Sequence, residues 1–264
     1  MRKIFFFDID GTILDTARGE RSLPQPLFDN IKALRNSGNI TVVCTARPKR
    51  FVDLLLPNLF NSCILLNGSY VEVEGHMLVD IPFSIEQIDS LNLYLNSIGA
   101  SYIYIGNSYC WANNISYQYK NILDNIYMVG NGYTKFTPIG ENKVYTIDLF
   151  FETDNDYERI SSYINSNSKI TLNYHKGDYT ADLSFNNKNK SYSIEPVLKY
   201  YGVDINNSYA FGDSLNDLDV FKLIPNTCAV DNASEQLKRM ASFISDKRAG
   251  IGVLEGLNYW GYTL

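Results

Sequence analysis

Apolar residues follow two rhythms along this chain. Near its start, Ile4-Phe5-Phe6-Phe7 is an unbroken apolar run, and Ile40-Thr41-Val42-Val43-Cys44 and Cys63-Ile64-Leu65-Leu66 are runs of the same kind. Runs this short, without alternation, suit parallel strands buried on both faces. A turn-like stretch, Ser22-Leu23-Pro24-Gln25-Pro26, follows the first run. Leu27, Phe28, Ile31 and Leu34 then recur at helical spacing, and Gly38 stands where a helix end favours a left-handed residue. Strand, helix, strand, helix, strand is the order of a doubly wound parallel sheet.

The rhythm changes near residue 80. Ser84 followed by Gln87 has the spacing of a capping box, and Ile85, Ile88, Leu91, Leu95 and Ile98 form an apolar stripe closed by Gly99. Alternating, tyrosine-rich stretches come next: Tyr102 to Ile105, Tyr145 to Phe150, Ile170 to Tyr174 and Tyr179 to Leu183, with a hairpin turn expected at Gly177-Asp178. Alternation predicts an antiparallel sheet with one exposed face. The parallel style then returns, with a helix over about Ser193 to Tyr201 and short buried strands at Ser208 to Phe211 and Thr227 to Val230. The expected architecture is a Rossmann-like α/β core, residues 1–80 and 186–264, with an α+β domain inserted at 81–185.

Composition narrows what this architecture does. The chain has 264 residues, 45% hydrophobic and 20% charged, enough apolar material for a sizeable core. Its net charge of −6 and lack of a long basic run argue against nucleic acid or an anionic membrane as partner. Apolar runs of four or five residues fall far short of a membrane span. The opening Met1-Arg2-Lys3-Ile4-Phe5-Phe6-Phe7-Asp8 does not read as a secretory leader, because its apolar stretch meets acids almost at once. Cys44, Cys63, Cys110 and Cys228 form no C-x-x-C pair and read as small buried hydrophobes in a reducing cytoplasm. His76 and His175, the two histidines, are too few and too distant for a His-rich zinc site.

Candidate chemistry sits where the buried runs end. Asp8-Ile9-Asp10-Gly11-Thr12 directly follows the first run. Ligands of open α/β sheets bind at carboxyl ends of strands, and two acids two residues apart point the same way in extended chain. Two such carboxylates repel, so they need a cation or a shared proton. A bare D-x-D would be a solvated strand exit; the turn residues Gly11 and Thr12 and the preceding apolar run set this one apart. Gly212-Asp213-Ser214-Leu215-Asn216-Asp217 follows another buried strand. Asp213 and Asp217 are four apart and can face one site, where hard oxygen ligands suit Mg²⁺. Read alone, the segment is equally a helix N-cap. Thr45-Ala46-Arg47 ends the second strand, where a hydroxyl and backbone amides can grip a phosphate oxygen, although Thr is also a common cap. Lys190 precedes a helix, with Lys188 a close rival for any role given to it.

Together these segments resemble the four motifs of the haloacid dehalogenase (HAD) superfamily of phosphohydrolases. The arrangement is similar to the Cof-type branch, whose large α/β cap lies between the second and third motifs. Leu66-Asn67-Gly68-Ser69 and Ala229-Val230-Asp231-Asn232-Ala233 fit that branch too. The resemblance implies that Asp8 is the nucleophile and Asp10 the general acid and base. It implies that Thr45, Ala46, Arg47 and Lys190 contact phosphate or substrate, with Asn216 orienting the lysine or the loop. Asp8, Asp213, Asp217 and the Asp10 carbonyl would hold Mg²⁺. Ala46 and Ser191 stand where glycine is usual. The function implied is a cytoplasmic Mg²⁺-dependent phosphatase of a small phosphorylated metabolite, with a sugar phosphate the leading class, acting as a monomer or weak homo-oligomer. A phosphomutase, or a HAD-fold regulatory protein of weak activity, is the alternative. The insert's tyrosines read chiefly as packing, and His175 as a hairpin-tip residue.

Overall fold

The computed structural model describes residues 2–113, 115, 134–135, 142–165, 170–175, 179–185 and 190–263. The chain divides into two compact units, one of Met1–Arg47, Val52–Asp80 and Asn189–Leu264, the other of Pro48–Phe51 and Ile81–Lys188. Strands β1 (Ile4–Phe7), β2 (Ile40–Cys44), β3 (Ser62–Leu65), β4 (Tyr70–Val73) and β5 (His76–Asp80) belong to the first unit. Strands β6 (Ser101–Ile105), β7 (Cys110–Asn113), β8 (Thr134–Lys135), β9 (Thr146–Phe150), β10 (Ile170–His175) and β11 (Thr180–Phe185) belong to the second. The first unit resumes with β12 (Ser208–Gly212), β13 (Asn226–Ala229) and β14 (Phe243–Ile244). Among the described residues the α-helices are α1 (Gln25–Asn36), α2 (Lys49–Leu55), α3 (Ile85–Ser97), α4 (Asp154–Asn165), α5 (Ile194–Tyr201), α6 (Leu218–Leu223), α7 (Glu235–Lys238) and α8 (Ala249–Tyr259).

The first unit is an eight-stranded sheet in the order β14-β13-β12-β1-β2-β3-β4-β5. Pairings are parallel from β14 to β3, and β4 and β5 add an antiparallel edge. The central place of β1 explains its four-residue apolar run, because β12 flanks it on one side and β2 on the other. Phe5 stacks on Tyr209 at 4.8 Å and Phe7 on Phe211 at 4.9 Å between ring centroids. Burying each such side chain is worth about 1.5–3 kcal/mol. α1 buries Leu27, Ile31 and Leu34, and Gly38 beyond its end is left-handed as expected. The β4–β5 hairpin is a feature the apolar rhythm did not predict. Its turn places Glu74 and Gly75 at φ 49° and 82°, the two-residue geometry that joins twisted antiparallel strands.

The second unit is a six-stranded sheet in the order β10-β11-β9-β6-β7-β8. Its pairings are antiparallel except for β7 with β8. The capping box at Ser84 forms as read, with Gln87 N–H donating to Ser84 Oγ and Ser84 N–H to Gln87 Oε1. The stripe on α3 is narrower than its sequence pattern: Ile88, Leu91 and Leu95 are buried, whereas Ile85 in the first turn is exposed. Those three residues and Ile160 and Ile164 of α4 pack on Tyr102, Tyr104, Ile147, Leu149, Ala181 and Leu183 of the sheet. One expectation needs correction. The sheet does not leave one face open at its centre, because Ile103, Ile105 and Phe150, which alternate with the helix-packed positions, are buried too. Alternation in β6 is of tyrosine with isoleucine, and a tyrosine counts as polar only if its hydroxyl stays wet. Here the hydroxyls of Tyr102 and Tyr104 both donate to Asn92 Oδ1, at 2.9 and 2.8 Å, so the rings go inside.

Tyr102, Tyr104 and Trp111 are therefore packing residues. Tyr117, Tyr119, Tyr127 and the Gly177-Asp178 turn lie outside the described residues, although Thr180 pairs with His175 in antiparallel register on either side of that turn. Among the described residues, no helix is long and apolar enough to cross a membrane.

Candidate active site

The parallel strands β12, β1, β2 and β3 all deliver their carboxyl ends to one edge of the first unit's sheet. Asp8 is the first residue beyond β1, and its N–H still donates to Phe211 O at 3.2 Å, which continues the ladder with β12. The chain then turns sharply, with the amides of Thr12, Ile13 and Leu14 all directed at Ile9 O. Gly11 sits in this turn at φ 83°, and a Cβ there would lie 2.2 Å from Asp213 Oδ2. Only glycine lets the turn come this close to the loop after β12. Thr12 Oγ1 donates to Asp213 Oδ1 at 2.9 Å and fastens the two loops together.

Lys190 opens a 3₁₀ turn, Lys190–Ser193, that leads into α5. Its ammonium is buried, 1% exposed, and bonds Asp8 Oδ1 at 2.5 Å, Asp217 Oδ1 at 2.7 Å and Asn216 Oδ1 at 3.3 Å. Lys188 is outside the described residues. Asp217 Oδ2 accepts from the amides of Asp213 and Ser214, both at 3.2 Å, so both of its oxygens are committed. Asn216 also receives Ser214 Oγ at 2.6 Å.

Asp8, Asp213 and Asp217 offer carboxylate oxygens within 4.8 Å of one another. With Lys190 inside the cluster, three carboxylates face one ammonium, a formal excess of two negative charges. Burial, with the repulsion of Asp217 and Asp213, pushes the Asp8 carboxyl well above the usual range against the pull of Lys190. Burial and then the Asp217 charge push Asp213 up to about 7. Burial by itself would lower the Lys190 ammonium, but Asp217 and Asp8 outweigh it and hold it above its ordinary value. A cluster with this imbalance and hard oxygen donors fits a divalent cation.

Asp10 and Arg47 form a second pair at the same edge. Arg47 Nε and Nη2 donate to the two oxygens of Asp10 at 2.8 and 2.9 Å, a bidentate fork. Burial alone would raise the Asp10 carboxyl, but the Arg47 guanidinium outweighs it and holds Asp10 below the usual carboxylate range. Thr45 is buried just past β2, and its Oγ1 accepts from Arg47 N–H at 3.2 Å. Ala46 between them is exposed. The first unit thus gathers the four motif segments read from the sequence.

Side chains with no role assigned from sequence complete the frame. Ser193 Oγ donates to Gly68 O at 2.9 Å and ties the Lys190 turn to the segment after β3. Asn232 Nδ2 donates to Gly11 O at 2.7 Å, while its Oδ1 accepts from Ala249 N–H at 3.0 Å. Both partners are backbone atoms distant in sequence, so spacing along the chain offers no signal for either bond.

A family model described as haloacid dehalogenase-like hydrolase matches residues 5–257. The chain belongs to that family. As a member it is an enzyme, a phosphoric monoester hydrolase. Among individual proteins it is similar to the Bacillus subtilis (strain 168) 5-amino-6-(5-phospho-D-ribitylamino)uracil phosphatase YwtE, 22% identical, with 95% of each chain covered. Among solved structures it resembles a hypothetical protein from Geobacillus kaustophilus HTA426 with a TM-score of 0.85, at 24% identity over 99% of this chain and 100% of that one. It also resembles the HAD subclass IIB sugar phosphatase BT4131, TM-score 0.78, at 20% identity over 98% of this chain and 99% of that one. These likenesses establish the fold of a HAD core with a second, smaller sheet.

Proposed function

We propose that this hydrolase is a Mg²⁺-dependent phosphatase of a small phosphorylated metabolite, a sugar phosphate in class, and that Asp8 is its nucleophile. The observation that carries the reading is the buried Lys190 bridging Asp8 and Asp217 beside Asp213. An excess of two negative charges there is balanced by a dication, and the balanced site then accepts a phosphate dianion. Asp8, Asp213 and the Asp10 carbonyl are the ligands in this reading. Asp217 would chiefly anchor Lys190 rather than ligate the ion, because both its oxygens are in use. When bound, Mg²⁺ supplies charge neutralisation for the phosphoryl oxygens.

Asp8 attacks phosphorus through a carboxylate oxygen. The P–O bond to the leaving group breaks, and Asp10 delivers a proton to the departing alkoxide. Asp10 then takes a proton from water as the water attacks the aspartyl-phosphate, which releases inorganic phosphate and restores Asp8. Thr45, the amide of Ala46 and Lys190 hold the phosphoryl oxygens, and Asn216 steadies Lys190. Arg47 has a part on each side of binding. In the free enzyme it keeps Asp10 ionised. An arriving phosphate dianion draws the guanidinium toward itself, which lets Asp10 hold the proton it must give.

The second unit acts as a cap that selects the leaving group and excludes water. Its connections to the first unit are near Ile81-Pro82 and at Asn186-Asn187, the latter outside the described residues. A sugar phosphate is favoured because one similar structure is a sugar phosphatase and a similar curated protein acts on a phosphoribityl compound. Hydrolysis of p-nitrophenyl phosphate with Mg²⁺ and with excess EDTA tests the reading. Turnover confined to the Mg²⁺ sample is expected, and full turnover in EDTA would overturn it.

A further inference from the structure

The turn that carries Asp8 and Asp10 ends on a buried acid to which the reaction gives no part. Asp15 is 3% exposed. Its Oδ2 accepts from Arg248 Nε at 3.0 Å, and its Oδ1 is buried without a hydrogen bond. Arg18 Nε lies 3.8 Å from the same Oδ2, on a side chain that is largely exposed. A buried carboxylate is costly unless a counter-charge is held against it. Arg248 supplies the closer of the two from 233 positions along the chain.

The backbone around Arg248 is fixed just as specifically. Arg248 immediately precedes α8, and Ala249 after it stands in the left-handed region at φ 43°. A residue with a Cβ adopts that region only where its surroundings impose it. Here Ala249 N–H donates to Asn232 Oδ1, and Asn232 Nδ2 donates to Gly11 O. A Cβ on Gly250 would meet Ile13 O at 2.9 Å. The start of α8 therefore holds the catalytic turn at Gly11, at Ile13 and at Asp15.

Beyond Asp15 the chain returns to the general acid. Asp15 opens the 3₁₀ turn Thr16–Arg18, with Arg18 N–H donating to Asp15 O at 3.0 Å. The side chain of Thr16 hydrogen-bonds the Asp10 carboxylate. When Arg47 turns from Asp10 to an arriving phosphate, Thr16 stays to aim the Asp10 carboxyl, and its own place is set by the acid before it. We propose that Arg248 is a positioning residue, which acts through Asp15 and Thr16 to hold Asp10 in line for proton delivery to the leaving group. This rests on the phosphatase reading above.

Phenyl phosphate and p-nitrophenyl phosphate have nearly the same shape. Phenolate is much the stronger base, so its departure needs the proton from Asp10, whereas nitrophenolate leaves with little help. The test compares kcat/KM for the two esters, which covers the steps up to that departure. Arg248→Met keeps the bulk and removes the charge. It should lower the phenyl phosphate value about tenfold and the p-nitrophenyl phosphate value less than about threefold, as expected for a misaimed acid. Arg248→Lys returns a charge to Asp15 and should bring phenyl phosphate back to within about threefold of the wild type, because the guanidinium makes a single bond there rather than a fork. Asp15→Asn/Arg248→Met removes the pair without stranding a buried charge, and should show the same selective loss even where the single variant fails to fold. Thr16→Val leaves the ion pair in place and should show that loss too. Equal losses on both esters, or none, in these variants, or no recovery in Arg248→Lys, would overturn the assignment and leave Arg248 a structural residue. Failure of the phosphatase reading itself looks different: the wild type would then hydrolyse neither ester in Mg²⁺.

Discussion

The two units bury polar groups in opposite ways. In the first, an ammonium and two carboxylates are almost wholly buried at the sheet edge: Lys190 is 1% exposed, Asp217 3% and Asp8 6%. In the second, the buried polar groups at the sheet centre are neutral, with Tyr102 and Tyr104 hydroxyls matched to asparagine amides. Neutral pairs repay their desolvation and stabilise a fold by about 0.5–1.5 kcal/mol each. Buried charges seldom do, since desolvation costs several kcal/mol per ion. A protein that keeps unbalanced charge at the sheet edge of one unit and matched tyrosine hydroxyls at the sheet centre of the other has separated chemistry from scaffolding.

Four experiments test that separation, from the largest effect to the smallest. Asp8→Asn should reduce turnover at least ~10⁴-fold, as expected when a covalent nucleophile is lost. Urea unfolding of the metal-free variant should show no loss of stability, because the change removes one excess negative charge and leaves Lys190 paired with Asp217. A variant that unfolded readily, or one that kept near-normal rates, would contradict the division.

Lys190→Ala is the converse. It strands Asp8 and Asp217 without their counter-charge and should cost about 3–5 kcal/mol in urea unfolding as well as activity. A loss under ~1 kcal/mol would mean that water already reaches the cluster.

Protons should compete with the cation. Asp213 is raised to about 7 in the metal-free protein, so it holds a proton below that pH that a cation must displace. Apparent Mg²⁺ affinity, followed by calorimetry, should therefore weaken as pH falls through about 7, by up to about tenfold per pH unit, and level off above it. The sign follows from a folded-state pKa above the ordinary carboxylate value. Affinity independent of pH between 5 and 8 would remove Asp213 from the ligand set.

The smallest effect belongs to the second unit. Asn92→Ala removes an acceptor shared by Tyr102 and Tyr104, and should lower stability by about 1–3 kcal/mol. Hydrolysis of p-nitrophenyl phosphate below the melting range should change less than about twofold, because every group assigned to phosphoryl transfer lies in the first unit. A tenfold loss of kcat would show that the two units are not separate in function.

The core and the motif segments were legible because each is local. A central parallel strand must be apolar on both faces, which makes Ile4-Phe5-Phe6-Phe7 conspicuous, and the acids that follow it stand out against that run. Gly11 is legible as a turn, yet the 2.2 Å approach to Asp213 that makes a side chain intolerable is not. The wet or dry state of a tyrosine is a property of its neighbours, so the alternation in β6 misled about the sheet's faces. Asn92 and Asn96 lie on a helix and Tyr102 on a strand, and only their packing shows that the hydroxyl is satisfied.

By itself, the sequence determined which strands are central, where their carboxyl ends place acids, and which family the chain joins. The first two follow from residues adjacent along the chain, where hydrophobic period and turn chemistry act over a few positions, and the family from the resemblance of four short motifs in their order. Only the tertiary structure decided that Lys190 bridges Asp8 and Asp217 and that Arg47 clasps Asp10. Those facts join residues up to 182 positions apart. Hydrogen bonds and contact ion pairs need their atoms within about 3–4 Å, so a role set by a partner becomes visible only when the fold has brought the partner within reach.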